Sequence, residues 1–320
     1  MTFDALLLVS FGGPEGHDDV MPFLENVTRG RNIPRERLQE VAGHYRQFGG
    51  RSPINDQNRA LVAALEQLFA REGPHMPVYW GNRNWHPMLA DTVRRMRDDG
   101  VRSAAAFVTS AFGSYSGCRQ YRGDIAQAWE AAGSGAPEIC KLPTFHDRPG
   151  FVEPMIELVQ QAVAQYDRPH IAFTAHSVPL TMTEASPYLA QLTETSARIA
   201  LAVGGDDWNL VFQSRSGPPT QPWLEPDILD HIRDQHAQGK RELVVVPIGF
   251  ISDHMEVLYD LDTEAAELCR ALGMKMRRVA TVGTHPSFIR MIRDLLLDGC
   301  RECAPDCCPA PQRPVSLPGG

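Results

Sequence analysis

The sequence predicts an α/β protein of two domains, each with a four-stranded parallel sheet flanked by helices. Three observations indicate this fold: eight short apolar runs, amphipathic helical segments between them, and a restart of the pattern near Pro149. Apolar strands that alternate with helices are typical of parallel sheets covered on both faces. We expect residues 1–148 and 149–299 to form the two domains, and 300–320 to form a cysteine-rich tail.

Four runs predict the strands of the first domain. The first, Ala5–Ser10, is a continuous apolar stretch that stops at Gly12-Gly13-Pro14. The others are residues 77–80, 104–109 and 138–142. A helix is predicted between the first two strands, because apolar residues recur there at helical spacing: Leu61, Leu65, Leu68 and Phe69.

Four further runs predict the second sheet, at residues 170–174, 209–213, 243–247 and 276–281. The last helix, 285–299, carries Phe288, Ile292, Leu295 and Leu296 at helical spacing, and we expect that it can pack back on the first domain. Ligands of such sheets bind beyond the carboxyl ends of the strands, so the segments after each strand are the candidate sites.

Composition excludes several classes of protein. A chain of 320 residues allows two domains of about 150 residues. The net charge of −8 argues against a protein that wraps nucleic acid. No apolar run approaches a membrane span of about 18 residues, and the first ten residues lack the basic region of a signal peptide. We therefore expect a cytoplasmic protein without stable membrane insertion, whose seven cysteines are not joined in disulfides.

His176 is the first candidate for chemistry. It ends the apolar run FTAH and is followed by Ser177 and Pro179, so it would face the crevice beyond the sheet. An imidazole can accept a proton near neutral pH or bind a divalent metal. The alternative is a histidine that only hydrogen-bonds a loop.

Glu256, Asp260 and Glu264 follow one another at four-residue steps in a segment whose apolar stripe predicts an α-helix. Like charges at this spacing cost about 0.2–0.5 kcal/mol per pair. The row is either a solvated acidic face or a set of oxygen ligands along which a hydrated divalent cation passes. The chain lacks the nucleotide-binding glycine motifs, H-E-x-x-H and G-x-S-x-G, which disfavours nucleotide, zincin and hydrolase chemistry.

With these motifs in place, the sequence resembles the ferrochelatases along nearly its whole length. The motifs that carry the resemblance include LLLVSFGGPEG (6–16), HYRQFGGRSPIN (44–55), FTAHSVP (173–179) and PIGFISDHMEVLYDLDTE (247–264). The resemblance implies two Rossmann-like domains with a porphyrin cleft between them. It also implies a lyase of heme biosynthesis that inserts Fe2+ into a porphyrin without a nucleotide.

By this resemblance His176 and Glu256 are the catalytic residues, and Asp260 and Glu264 line the route of the iron. The chain resembles the actinobacterial type that uses coproporphyrin III, a substrate with four propionates. The implied substrate-binding residues are Phe11, Arg29, Tyr45, Ser52 and Tyr121. Phe11, Thr28 and His44 depart from related enzymes, which carry a tyrosine at the first position and arginines at the other two.

Other functions stay open at this point. Within the family they are a protoporphyrin IX ferrochelatase or a cobalt or nickel chelatase. Outside it they are a carrier of tetrapyrrole or metal without turnover and a two-lobed periplasmic receptor. The retained pair of His176 and Glu256 disfavours a carrier. We expect coproporphyrin III and ferrous iron as ligands, no nucleic acid, and only transient contact with neighbouring heme-pathway enzymes.

The tail carries Cys300, Cys303, Cys307 and Cys308 within nine residues. Spacing alone leaves free thiols, a zinc site and an iron–sulfur site as alternatives. The resemblance implies a [2Fe-2S] cluster held by Cys300, Cys303 and Cys308 of the tail together with Cys140, with Cys307 as the alternative to Cys308. We expect a structural or sensing role for the cluster.

Overall fold

Two four-stranded parallel sheets form the framework of the protein in a computed structural model, which describes residues 3–30, 33–216, 221–300 and 307–310. The first sheet has the order β2-β1-β3-β4 and the second the order β6-β5-β7-β8. Every pairing is parallel. The strands are β1 (Ala5–Ser10), β2 (Val78–Asn82), β3 (Ser103–Val108), β4 (Glu138–Lys141), β5 (His170–His176), β6 (Trp208–Gln213), β7 (Glu242–Val246) and β8 (Lys275–Arg278).

The two sheets repeat one topology, because each places its first strand between its second and third strands. This confirms the predicted fold of two four-stranded parallel sheets. Central strands are apolar throughout: all six residues of β1 are buried. The bounds of β1 are those predicted, the other strand ends differ from the prediction by at most three residues, and β5 continues two residues further, to His176.

Helices cover the faces of both sheets. In chain order they are α1 (His17–Val27), α2 (Arg35–Gln47), α3 (Ile54–Glu72), α4 (Leu89–Asp98), α5 (Gln120–Ala132), α6 (Pro149–Val163), α7 (Leu180–Glu184), α8 (Tyr188–Ala202), α9 (Ile228–Ala237), α10 (Ala266–Ala271) and α11 (Pro286–Asp298). Two segments are π-helices, Tyr115–Arg119 and Glu256–Ala265. The α-helix predicted for the acidic row is therefore wrong in type: the segment is a π-helix that continues into α10.

Aromatic packing joins the last helix to the rest of the molecule. Phe107 of β3 stacks on Phe145, with ring centroids 5.0 Å apart, and Phe288 of α11 packs against both rings. Arg293 of α11 also pairs with Glu72 of α3 at 2.8 Å. The helix thus contacts the first part of the chain, as the sequence allowed. The domain boundaries themselves stay a prediction.

In the part of the chain that the structure describes, no helix combines the length and the apolar character needed to cross a bilayer.

Candidate active site

His176 and Glu256 meet beyond the carboxyl end of the second sheet. His176 ends β5, and Glu256 begins the second π-helix, which follows the loop after β7. Nδ1 of His176 lies 2.9 Å from Oε2 of Glu256. The two side chains are 33% and 39% exposed, so each keeps a surface that a ligand can reach. The structure therefore brings together two residues that are 80 positions apart in the chain.

The contact between His176 and Glu256 shifts the pKa of both side chains. Burial disfavours the charged form of His176, but the Glu256 carboxylate and its hydrogen bond prevail and raise the pKa of His176. Burial also opposes ionisation of Glu256, yet the charge and hydrogen bond of His176, with His254 and Ser214, lower the pKa of Glu256 to about 2. Glu256 is therefore an anion at neutral pH, and Nδ1 of His176 is the donor of their hydrogen bond.

Asp260 lies next along the π-helix. The hydroxyl of Ser214 donates to Oδ2 of Asp260, and Nε2 of Gln213 approaches the same oxygen at 3.4 Å. Burial and the neighbouring Glu256 carboxylate raise the pKa of Asp260 to about 7. The carboxyl group is thus buried beside an anion, an arrangement that a cation would stabilise.

Glu264 is the outer member of the acidic row. Burial, Asp227 and Glu267 raise the pKa of its carboxyl. Within the described ranges, no set of three or more His, Cys, Asp or Glu side chains converges closely enough to hold a metal ion. The row is therefore a series of separate carboxylates and not a closed metal site.

The predicted substrate-binding residues differ in exposure, and Arg29, which follows α1, is exposed. Ser52 is 3% exposed and packs against Gly13, where a Cβ would lie 2.7 Å from the Cβ of Ser52. Phe11 is 37% exposed at the end of β1. Burial and then the Glu256 carboxylate raise the pKa of Tyr45, so this tyrosine lies within reach of the charge of Glu256.

Tyr121 is buried beside an arginine that the sequence analysis did not select. The guanidinium of Arg83 lies 4.8 Å from the ring centroid of Tyr121 and 5.9 Å from that of Phe11, and pairs with Asp124 at 3.1 Å. Burial raises the pKa of Tyr121 to about 12, although Arg83 opposes this. Arg83 directly follows β2, and its place in a segment after a strand was the available signal in the sequence.

Two further residues form hydrogen bonds with the backbone of His176 and Glu256. The hydroxyl of Tyr188 donates to the carbonyl oxygen of His176 at 3.0 Å. The backbone N–H of Glu256 donates to Nδ1 of His254 at 3.1 Å. His254 stands two residues before Glu256 in the sequence, whereas Tyr188 lies in α8, and no local pattern indicated its contact.

The structure describes some of the cysteines that were predicted to hold a cluster. The sulfur atoms of Cys140 of β4 and Cys300 lie in direct contact, with the Cα atoms 6.2 Å apart. Cys300 follows Gly299, whose φ of 79° ends α11. Cys308 is 4% exposed, with its sulfur 3.6 Å from that of Cys307. Cys303 lies outside the described residues.

Comparison with known proteins identifies the family. Residues 3–299 match the family model described as Ferrochelatase. The chain belongs to the ferrochelatase family. A ferrochelatase of Rhodopirellula baltica is 52% identical, covering 99% of this chain and 97% of that protein. A coproporphyrin III ferrochelatase of Streptomyces coelicolor is 53% identical, covering 92% of this chain and 85% of that protein. A coproporphyrin III ferrochelatase of Mycolicibacterium smegmatis is 50% identical, covering 92% of this chain and 89% of that protein.

Solved chelatases share the fold of this ferrochelatase. The siroheme-biosynthesis enzyme CbiX of denitrifying bacteria superimposes with a TM-score of 0.54 at 16% identity, covering 93% of this chain and all (100%) of that one. The sirohydrochlorin chelatase SirB of Bacillus subtilis, in complex with cobalt, gives a TM-score of 0.55 at 12% identity, covering 93% and 97%. At such identities the likeness concerns the fold alone.

Proposed function

We propose that this ferrochelatase inserts Fe2+ into coproporphyrin III to form iron coproporphyrin in heme biosynthesis. The observation that carries the proposal is the contact between His176 and the ionised Glu256 at the end of β5, 2.9 Å between Nδ1 and Oε2. Relatives at about half identity that are named coproporphyrin III ferrochelatases support the choice of porphyrin.

His176 and Glu256 have different roles in the proposed reaction. Two pyrrole protons must leave the porphyrin as iron enters. Glu256, with a pKa of about 2, is a poor proton acceptor at neutral pH. It accepts from Nδ1 of His176, which leaves Nε2 of the neutral imidazole free to take the two pyrrole protons in turn, releasing the first to solvent through the exposed face of the ring before it takes the second. The Glu256 carboxylate then stabilises the imidazolium that forms, while Asp260 and Glu264 attract the incoming iron by charge.

The polar character of the cleft entrance supports a substrate with four carboxylates. The segment 23–38 is rich in charge, and Arg29 is exposed there. Ser52 and Tyr121 offer hydroxyl groups deeper in the cleft. A hydrogen bond to a charged group contributes about 1.5–3 kcal/mol. The two propionates that protoporphyrin IX lacks would therefore cost about tenfold or more in binding.

A steady-state assay of the purified protein with Fe2+ tests the substrate. We expect kcat/KM to be at least about tenfold higher with coproporphyrin III than with protoporphyrin IX. A higher kcat/KM with protoporphyrin IX would reverse the assignment. Binding of both porphyrins without turnover would instead favour the carrier function.

We also propose a [2Fe-2S] cluster held by Cys140, Cys300, Cys303 and Cys308, with Cys307 as the alternative to Cys308. The meeting of Cys140 and Cys300 supports it, because two proposed ligands from distant parts of the chain lie side by side. As thiolates, both cysteines would be ligands of the usual kind for such a cluster. A cluster there would tie the tail to β4, consistent with a structural or sensing role.

Cysteine variants test the cluster. Cys140→Ser should remove its visible absorption and EPR signal as completely as Cys303→Ser does, and both should lower the unfolding temperature. Cys118→Ser and Cys269→Ser are matched controls, since both cysteines are buried outside this pair and should leave the cluster intact. Stoichiometric zinc without labile sulfide in the wild type would contradict the proposal.

The cytoplasmic location and the transient contacts with neighbouring heme-pathway enzymes stay predictions.

A further inference from the structure

Arg278 is a partly buried cation beside the candidate active site, and the proposed reaction does not use it. It is the last residue of β8 and pairs in register with Val245 of β7, so it lies at the end of the sheet from which the loop toward Glu256 departs. Its side chain is 17% exposed. Charged side chains that are withdrawn from solvent are normally paired, so the partners of Arg278 indicate what it does.

The guanidinium of Arg278 bridges two aspartates that lie on either side of Glu256 in the chain. Nε and Nη2 donate to the two carboxylate oxygens of Asp262, at 2.6 Å and 2.9 Å. Nη1 and Nη2 donate to the two oxygens of Asp253, both at 3.2 Å. Both contacts are bidentate, a geometry that suits the planar guanidinium and that fixes orientation as well as distance.

The segment that Arg278 bridges carries no positive side chain of its own from Lys or Arg. Six carboxylates occur between residues 253 and 267, whereas the chain has no Lys or Arg from residue 242 to residue 269. Like charges one helical turn apart destabilise a helix, and the π-helix is itself a rare form of helix. A cation from another element therefore stabilises the segment, and β8 supplies it.

The bridge connects Glu256 to the sheet that carries His176. The strands β5, β7 and β8 are neighbours in the second sheet, where His176 ends β5 and Arg278 ends β8. Asp253 lies three residues before Glu256, and Asp262 lies six residues after it. Both members of the catalytic pair are thus held by strand ends of one sheet, so their contact of 2.9 Å depends on how this segment is held.

Two further contacts hold Asp253 independently of Arg278. The hydroxyl of Thr281 donates to Oδ1 of Asp253 at 3.2 Å. The backbone N–H of Asp253 donates to Oε1 of Gln57 in α3 at 2.8 Å. The start of the segment therefore stays attached when the guanidinium is removed, and the loss of Arg278 should chiefly release the π-helix that follows.

We propose that Arg278 is a positioning residue for metal insertion, which holds Glu256 against His176 by bridging Asp253 and Asp262. The inference rests on the proposed function, since it concerns the pair that would carry out the reaction. The hydrogen bonds of Arg278 go to the two aspartates and to the carbonyl oxygen of Val279. It therefore acts on the pair through the chain between the aspartates. A misplacement of about 1 Å can cost about 10²-fold in rate, so the bridge should affect kcat.

Steady-state iron insertion by the full-length protein tests the bridge. Arg278→Gln should lower kcat with coproporphyrin III about tenfold, while the KM for porphyrin stays within about twofold, because no predicted substrate-binding residue takes part in the bridge. Arg278→Lys keeps the charge, but a single ammonium cannot make two bidentate contacts. Its kcat should therefore stay at least about threefold below that of the wild type.

A double-mutant cycle shows whether the aspartate acts through the same contact. Asp262→Asn should lower kcat about threefold, and adding it to Arg278→Gln should cause no further loss. Arg293→Gln is the matched control. This arginine is also partly buried, at 23% exposure, and pairs with Glu72 at 2.8 Å, so kcat should be unchanged in this variant even if its unfolding temperature falls.

An unchanged kcat in folded Arg278→Gln would overturn the positioning role. Full wild-type activity of Arg278→Lys would also overturn it, because the positive charge alone would then be sufficient. If Arg278→Gln does not fold, Asp262→Asn decides alone, since it removes one side of the bridge and leaves Asp253 attached to Gln57 and Thr281.

Hydrogen exchange of the porphyrin-free protein separates the bridge from the reaction. Backbone amides of residues 253–262 should exchange about tenfold faster in Arg278→Gln than in the wild type, and at the wild-type rate in Arg293→Gln. If the wild type inserts no iron into either porphyrin, the proposed function fails, and faster exchange would still show that Arg278 fixes the segment that carries Glu256. If the wild type inserts iron and neither kcat nor exchange depends on Arg278, only the positioning role is wrong.

Discussion

His176 depends on Glu256 for its orientation and on Tyr188 for the position of its backbone. The Glu256 carboxylate accepts from one ring nitrogen, and the Tyr188 hydroxyl holds the carbonyl oxygen at the end of β5. A side chain fixed in this way can meet a porphyrin nitrogen without a further loss of rotamer freedom. In the proposed reaction, the imidazole would therefore be in position for proton transfer before the substrate binds.

Removing the imidazole should stop metal insertion and spare the fold. We expect His176→Ala to lower kcat by about 10²–10⁴-fold, the range that general acid–base groups contribute. Porphyrin affinity, followed by quenching of tryptophan fluorescence, should change by less than about threefold, because the cleft walls remain. His75→Ala, at an exposed histidine before β2, is the matched control and should be fully active. Wild-type turnover in folded His176→Ala would refute the catalytic role.

Some residues of the candidate site could be selected from the sequence, and others could not. His176 could be selected because it is an ionisable residue at a strand end, and Glu256 because it opens an acidic row. Gln213 carries no charge, and its hydrogen bond to the backbone of Glu256 joins two segments that lie more than forty positions apart in the chain. Arg83 and Tyr188 also act through contacts between distant segments, so a pattern along the chain does not reveal them.

At the scale of elements, the helix that carries the acidic row combines a correct spacing with a wrong helix type. Its buried residues Val257, Leu261 and Ala265 recur every four positions, which an α-helix also produces. A π-helix differs by its i→i+5 hydrogen bonds, and no residue type encodes that bonding. Such segments are frequent at functional sites. Here the π-helix presents Glu256 and Asp260 to the strand ends, where Gln213 and Ser214 bond to them.

At the scale of the whole molecule, the two sheets could be predicted because each strand is a short apolar run between helical segments. The packing of the last helix against the first sheet could not be predicted. It depends on aromatic residues from distant elements, such as Phe107 of β3 and Phe288 of α11, whose ring centroids lie 6.3 Å apart. Apolar residues in a sequence indicate that a residue is buried, but not which element covers it.

A buried histidine pair at the opposite end of the second sheet couples the stability of the molecule to pH. Nδ1 of His170 lies 2.8 Å from Asp207, and Nε2 of His170 lies 2.9 Å from Nε2 of His231. Since the Asp207 carboxylate accepts from His170, Nε2 of His170 accepts the proton of His231 when both rings are neutral. Burial and then the charge of His170 lower the pKa of His231 to about 4.

Acid should therefore weaken the fold through this pair. An unfolded histidine titrates near pH 6.5, so the free energy of unfolding is unaffected by His231 above that pH. Between pH 6.5 and 4 the unfolded state binds the proton first, and the free energy of unfolding falls by at most about 1.4 kcal/mol per pH unit.

His231→Gln keeps an N–H for His170 but cannot titrate. Urea unfolding at pH 7 and pH 5 should show the variant losing about 1–2 kcal/mol less than the wild type. His75→Gln should behave like the wild type, and an equal loss in wild type and His231→Gln would show that the pair does not set the response to acid.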